Sequence, residues 1–184
     1  LPTELLPDVP ININGFAPKN FSLAYDGAVH ADEALARSLN IPAVVSLRKY
    51  GVPKFYDFLK KIGLTTLNRP ADHYGLSMIL GGAEGTLWEV ANAYADRAHA
   101  GSRENAPKGE FGLVRGSRDA RPCVSTMNPG AAWLTLQALT NVNRPEEIDW
   151  HFVPSIRKVA WKTGTSYGFR DAWAVGVTPK YLVA

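Results

Sequence analysis

The stretch Trp161-Lys162-Thr163-Gly164-Thr165-Ser166 sets a cation, three hydroxyls and a residue without a side chain next to one another behind an apolar run. A lysine on a strand that faces a cleft supplies positive potential, which holds an anionic group and depresses the pKa of a neighbouring nucleophile or base. Gly164 lets an extended ligand lie against the strand, and the hydroxyls of Thr163 and Thr165 are suited to a carboxylate. Together they read as one wall of an acyl-transfer site, which calls for a serine elsewhere in the chain. The plainer reading is a solvated edge-strand lysine before a turn.

Ser38-Leu39-Asn40 is the second polar constellation, and its plainer reading is a pair of helix caps. Two Ser-x-x-Lys matches also exist, Ser46 to Lys49 and Ser155 to Lys158. Ser46 and Lys49, three apart on a helix, share a face as a nucleophile and its base should. Ser155 stands just before a strand, where a three-residue spacing sends the two side chains to opposite faces.

These residues need elements to hold them. Residues 1 to 27 carry Pro2, Pro7, Pro10, Pro18, Gly15 and Gly27, which predicts an irregular lead-in extending to about residue 30. A helix follows over 31 to 38, then a second from Asn40, its expected N-cap, through Pro42 in the first turn to Tyr50 and the stop at Gly51. Phe55, Phe58, Leu59 and Ile62 recur at i, i+3, i+4, i+7 and predict an amphipathic helix ended by Gly63. Thr86 and Glu89 stand in capping-box register ahead of a helix with Leu87, Val90, Ala91, Tyr94 and Ala98 on one face and Gly101 at its end. Residues 101 to 110 read as polar loop and 111 to 125 as a possible hairpin. Asn128 and Pro129 open another helix. The period then changes: 156 to 166, 170 to 178 and 181 to 184 are rich in Val, Trp and Tyr and read as successive antiparallel strands. The fold class is α+β, with a mainly helical part over 31 to 145 and a C-terminal antiparallel meander over 150 to 184.

Composition narrows the function. With 184 residues, 46% hydrophobic and 20% charged, the chain has material for one core. A net charge of +3, its basic residues scattered, argues against nucleic acid. Cys123 is the single cysteine, which excludes an internal disulfide and a cysteine-based zinc site, and His30, His73, His99 and His151 lack metal-ligand spacing; no metal is expected. No stretch of about 18 apolar residues is present, so any signal or membrane anchor is expected to lie outside this chain. The final strand at Ala184 has neither turn nor polar tail, an expectation that the chain is part of a longer one with open strand edges, where a second copy would pair to give a homodimer.

The long stretches around these motifs, "YDGAVHADEALARSLNIPAV", "RPADHYGLSMILGGAEGTLWEVANAYA" and "WKTGTSYGFRDAWAVGVTPKYLVA", are similar to the transpeptidase domain of class A penicillin-binding proteins, and the likeness covers nearly the whole chain. That family's site is built from S-x-x-K, S-x-N and K-T-G. Ser38 and Asn40 match the second motif, and Lys162, Thr163 and Gly164 the third. The family's nucleophile precedes its S-x-N by some tens of residues, whereas Ser46 follows Ser38; the resemblance therefore implies that the nucleophilic serine and its lysine are not among these residues. It implies an incomplete transpeptidase, or serine β-lactamase-like, fold. It further implies acyl transfer from a peptidoglycan stem peptide ending in D-Ala-D-Ala, or acylation by a β-lactam, with no cofactor. In that scheme Ser38 relays a proton, Asn40 binds the substrate amide and Lys162 supplies positive potential and orients Ser38. Thr163 and Thr165 hold the terminal carboxylate, and the Thr165 N–H is half of an oxyanion hole. The parent is expected to be periplasmic or otherwise extracytoplasmic, anchored in the inner membrane, with a glycosyltransferase domain ahead of this one. The alternatives are a non-catalytic cell-wall peptide-binding or interaction module of the same fold, and a serine β-lactamase or β-lactam sensor.

Overall fold

The structure is a computed structural model and describes residues 1–101, 127–141, 158–166 and 170–184. The expected hairpin over 111 to 125, Cys123, His151 and Ser155 lie outside the described residues.

The lead-in is not irregular throughout. Strands β1 (Leu5–Asp8) and β2 (Gly27–His30) form an antiparallel pair in the register Leu5 to His30 and Asp8 to Gly27. Pro7 hid β1, because a proline cannot donate to a ladder and argues against a strand; it is tolerated here in a two-stranded ribbon whose edges are free. The ribbon leads directly into α1 (Ala31–Ala36) and then α2 (Asn40–Tyr50). Val29, Ala34 and Leu39 form a small core with Leu6, so ribbon, α1 and the start of α2 pack as one unit.

α3 (Val52–Lys61) is amphipathic, but the face it packs on the core of Leu47, Leu67, Tyr74 and Met78 is Val52, Phe55, Tyr56 and Leu59; Phe58 and Ile62, expected on that face, are not part of this cluster. The short α4 (Ala71–Tyr74) and a 3-10 turn (Gly75–Leu80) close that core from the other side. Gly81 ends the turn at φ +90°, a left-handed conformation available to glycine without strain, and its neighbour Gly82 lies so close to Ser77 that a Cβ would sit 2.6 Å from Oγ.

α5 (Leu87–Gly101) and α6 (Pro129–Leu139) lie against each other and against the second sheet. Val90, Tyr94 and Ala98 of α5 join Leu136 and Leu139 of α6 around Ala160, Val175 and Val177. Leu87, expected on that face, is instead 53% exposed, because it occupies the first turn beyond the reach of the sheet core. Gly101 does more than end α5. A Cβ there would approach the Trp133 backbone and Leu136 Cδ1 to 3.2 Å, so its lack of a side chain sets the close approach of the two helices. Asn128 caps α6 as expected, its Oδ1 accepting from the N–H groups of Gly130 (2.9 Å) and Ala131 (3.3 Å).

The C-terminal meander is present as three antiparallel strands in the order β3 (Ala160–Thr165), β4 (Ala172–Val177), β5 (Leu182–Val183). β3 is therefore an edge among the described residues. The fold is α+β, with a mainly helical body and the sheet against α5 and α6.

The capping box at Thr86 and Glu89 forms, the Glu89 N–H donating to Thr86 Oγ1 (3.2 Å) and the Thr86 N–H to Glu89 Oε2 (2.9 Å). The same carboxylate also accepts from the Thr65 N–H (2.6 Å), Thr65 Oγ1 (2.7 Å), Thr66 N–H (3.1 Å) and Thr66 Oγ1 (2.8 Å). One buried side chain thus fastens the loop after α3 to the start of α5. Burial by itself would raise the Glu89 pKa, but the Thr86 N–H, the Thr65 and Thr66 hydroxyls and the Thr65 N–H outweigh it and hold the carboxyl at about 2, below its ordinary 4.5.

Candidate functional site

Ser38 and Lys162 meet although 124 residues separate them: the Lys162 ammonium donates to Ser38 Oγ and to the carbonyl of Thr163. What brings them together is α1. Its Leu35 packs against the sheet core, whereas Ala34 and the nearby Leu39 belong to the ribbon core, so the corner after the helix is held from both sides. The chain turns at that corner through Ser38 itself, at φ +56°. A non-glycine residue in this region costs about 1 kcal/mol, and such strain gathers at sites where geometry is over-determined by the surroundings. Ser38→Gly is expected to be about 1 kcal/mol more stable than Ser38→Ala, both lacking the hydroxyl that Lys162 binds, which a higher thermal midpoint of the glycine variant would show.

Arg37, just before the corner, is gripped by Asp26 (2.5 Å) and Glu33 (2.8 Å). All three side chains are partly exposed, so the ion pairs act as local guides more than as a source of stability.

Asn40 is not the N-cap of α2. Leu39 holds that position with no side-chain cap, and the helix N–H groups of Asn40 and Ile41 are met instead by Asn20 Oδ1, at 3.0 and 3.3 Å. The Asn40 side chain is thereby free for another use: its Nδ2 donates to the carbonyl of Lys19 (2.7 Å). With that donor engaged, Oδ1 is left as the acceptor.

On β3, alternation puts Lys162 on the face of buried Ala160, toward the helices, and Thr163 and Thr165 on the opposite face. The backbone register decides what the free edge offers. The Ser166 N–H donates to the Asp171 carbonyl (3.1 Å). Since hydrogen-bonded and non-hydrogen-bonded pairs alternate in an antiparallel ladder, Gly164 and Lys162 bond toward β4, and the N–H and C=O of Thr165 and Thr163 point away from it. Thr163, Gly164 and Thr165 are all exposed, and a Cβ on Gly164 would meet nothing within 4 Å. Packing therefore does not require this glycine. Gly164→Val is expected to leave the unfolding midpoint almost unchanged, within about 0.5 kcal/mol, which urea denaturation would check, while obstructing any extended ligand on that strand.

Partial burial pushes the Lys162 ammonium below its ordinary 10.5. No carboxylate lies within ion-pair distance of it among the described residues. Lys49 is the reverse case. It hydrogen-bonds and pairs with Glu4 (2.8 Å), which raises its pKa, the wrong direction for a base, and Ser46 is exposed on α2. Sequence inspection found Ser38, Asn40, Lys162, Thr163, Gly164 and Thr165, but not Asp8 or Asn20, whose roles come from contacts with no local signature.

A layer of helices carrying Ser-x-Asn against an antiparallel sheet carrying Lys-Thr-Gly on its edge strand is the fold of the penicillin-binding-protein transpeptidase domain. Penicillin-binding protein 1A of Haemophilus influenzae superposes with a TM-score of 0.69 over 96% of this chain and 33% of that one, at 24% identity. PonA1 of Mycobacterium tuberculosis, solved in complex with penicillin V, superposes at 0.66 over 95% of this chain and 51% of that one, at 20% identity. In sequence, the chain is 37% identical over 186 residues to penicillin-binding protein 1C of Escherichia coli (strain K12), matching 99% of this chain and 22% of that protein. No protein-family model matches the chain. The chain thus resembles the class A penicillin-binding proteins in sequence and shares their transpeptidase fold, and it spans about a quarter of the length of several curated relatives.

Proposed function

We propose that these residues form part of a serine D,D-transpeptidase that crosslinks peptidoglycan stem peptides. The observation that carries this reading is the bond between Lys162 and Ser38, a motif pair brought together from 124 positions apart in sequence. The nucleophilic serine comes from a part of the protein outside these 184 residues, for which the Glu4-bound Lys49 and the exposed Ser46 are the supporting observations.

The serine attacks the carbonyl of the D-Ala-D-Ala bond; D-alanine leaves, and the acyl-enzyme then passes its acyl group to an amine of a neighbouring stem. Ser38, held by Lys162, relays the proton from the nucleophile's lysine to the departing amine. Asn40, its Nδ2 anchored on Lys19, accepts the substrate amide N–H at Oδ1. The donor stem lies along the free edge of β3, with its carboxylate on the Thr163 and Thr165 hydroxyls and the tetrahedral oxyanion on the outward Thr165 N–H. No cofactor enters the scheme. A β-lactam takes the same path because its strained amide mimics the peptide.

In this reading the protein acts outside the cytoplasmic membrane, anchored through a segment outside this chain. Among the described residues no helix is long and apolar enough to cross a membrane. In this reading β3 serves the substrate, which leaves the β5 edge for pairing with another strand, that of a second copy included. The test is labelling of the full-length protein by fluorescent penicillin, read by intact mass. One adduct on a serine outside this chain supports the reading; an adduct on Ser46 or Ser155 defeats it, and no adduct at all favours a non-catalytic peptide-binding module.

A further inference from the structure

Asp8 and Asn20 are polar residues that the acyl-transfer scheme leaves unused, and both are completely enclosed, at 0% and 1% exposure. Asn20 uses all of its capacity. Its Nδ2 donates to Asp8 Oδ1 (2.7 Å) and to the Ala24 carbonyl (3.0 Å), while its Oδ1 accepts from the N–H groups of Asn40 and Ile41. Two acceptors on one end and two donors on the other leave the amide a single orientation. Asp8 completes the array, its Oδ2 accepting from the Asp26 N–H (3.0 Å), and Asp26 in turn holds Arg37 beside Ser38.

The network therefore supplies the cap that α2 lacks locally, from a residue 20 positions upstream, and in the same step frees the Asn40 side chain to turn toward Lys19. A helix start can be capped more simply by its own preceding residue. Drawing the cap from Asn20 has one consequence a local cap would not: it locks Asn40 and the strained Ser38 to the β1–β2 ribbon.

We propose that Asp8 and Asn20 are positioning residues for the Ser38–Asn40 corner, setting the geometry of proton relay and amide binding without touching substrate. The inference rests on the acyl-transfer reading above. A misplacement of about 1 Å at such a corner costs on the order of 100-fold in rate.

The experiment follows penicillin acylation of the full-length protein in wild type, Asn20→Ala, Asn20→Asp and the exchange Asp8→Asn with Asn20→Asp, recording both the final fraction labelled and the rate per labelled site. Asn20→Asp sets two carboxylates face to face, whereas the exchange restores a donor opposite an acceptor. The expected result is a rate per labelled site lowered by about 100-fold in both single variants, with the exchange returning to within about 10-fold of wild type. A purely structural role predicts fewer labelled sites, each reacting at the wild-type rate. That outcome, or an exchange no faster than Asn20→Asp, overturns the inference while the acyl-transfer reading stands. A wild-type protein that takes no label overturns that reading, and the inference falls with it.

Discussion

Replacing Lys162 by alanine is expected to slow acylation of the full-length protein by penicillin by about 100- to 1,000-fold, the usual cost of removing one preorganised donor from a charge-stabilising site. Lys162 is the residue that touches Ser38, and partial burial keeps its charge poorly hydrated, so the charge acts strongly on whatever lies near. Lys162→Arg retains the charge but replaces a compact ammonium with a planar fork, and it should recover only part of the rate. The relay makes a sharper demand. If Lys162 works through Ser38, then Ser38→Ala and Lys162→Ala are not additive, and the double variant should be little slower than the worse single one. Additive losses in stopped-flow acylation would separate the two residues and remove the relay.

The second large effect is on stability. Glu89→Ala is expected to destabilise the fold by about 3 kcal/mol, because three backbone N–H groups and two hydroxyls lose one shared acceptor and the N–H groups of Thr65 and Thr66 have no substitute in view. At an ordinary denaturant dependence of about 2 kcal/mol per molar, the urea midpoint would fall by about 1.5 M. Glu89→Gln keeps the shape but offers a single acceptor oxygen and should fall between. The carboxylate also gives the effect a pH signature. Its folded pKa of about 2 lies below the ordinary 4.5, so its contribution is complete above pH 4.5 and is lost as the pH falls from there through about 2. The gap in stability between wild type and Glu89→Gln should therefore narrow across that window. A gap independent of pH would mean that packing, not ionisation, is what Glu89 provides.

Both residues show how far reading along the chain reaches. Thr86 and Glu89 were legible as a capping box because the motif is local: three residues fix the geometry of a first helical turn, and nothing distant is needed to complete it. Asn128 and Pro129 were legible for the same reason, as were the three C-terminal strands, where a change of hydrophobic period is written into consecutive residues. Ser38 and Lys162 were recognisable as motif residues, but their meeting was not derivable, since it depends on Leu35 and Leu39 packing into two separate cores.

Local reading failed where a distant group supplied what the neighbourhood lacked. Pro7 argued against a strand, yet β1 forms because the Gly27–His30 segment returns to pair with it. Asn40 had the residue type of an N-cap and is not one, because Asn20 reaches the same N–H groups and leaves the Asn40 side chain for Lys19. Leu87 kept the helical period and is exposed, since a periodic face is buried only as far as its partner surface extends. By itself, then, the sequence determined the longer helices α1, α2, α3, α5 and α6, the C-terminal strands, the α+β class and the residue types of an acyl-transfer wall, because propensity, capping and periodicity act within a few positions. Only the tertiary structure decided which hydroxyl Lys162 holds, which groups face the free edge of β3 and what anchors Asn40, because a hydrogen bond between residues 20 or 124 positions apart exists only after the cores have closed.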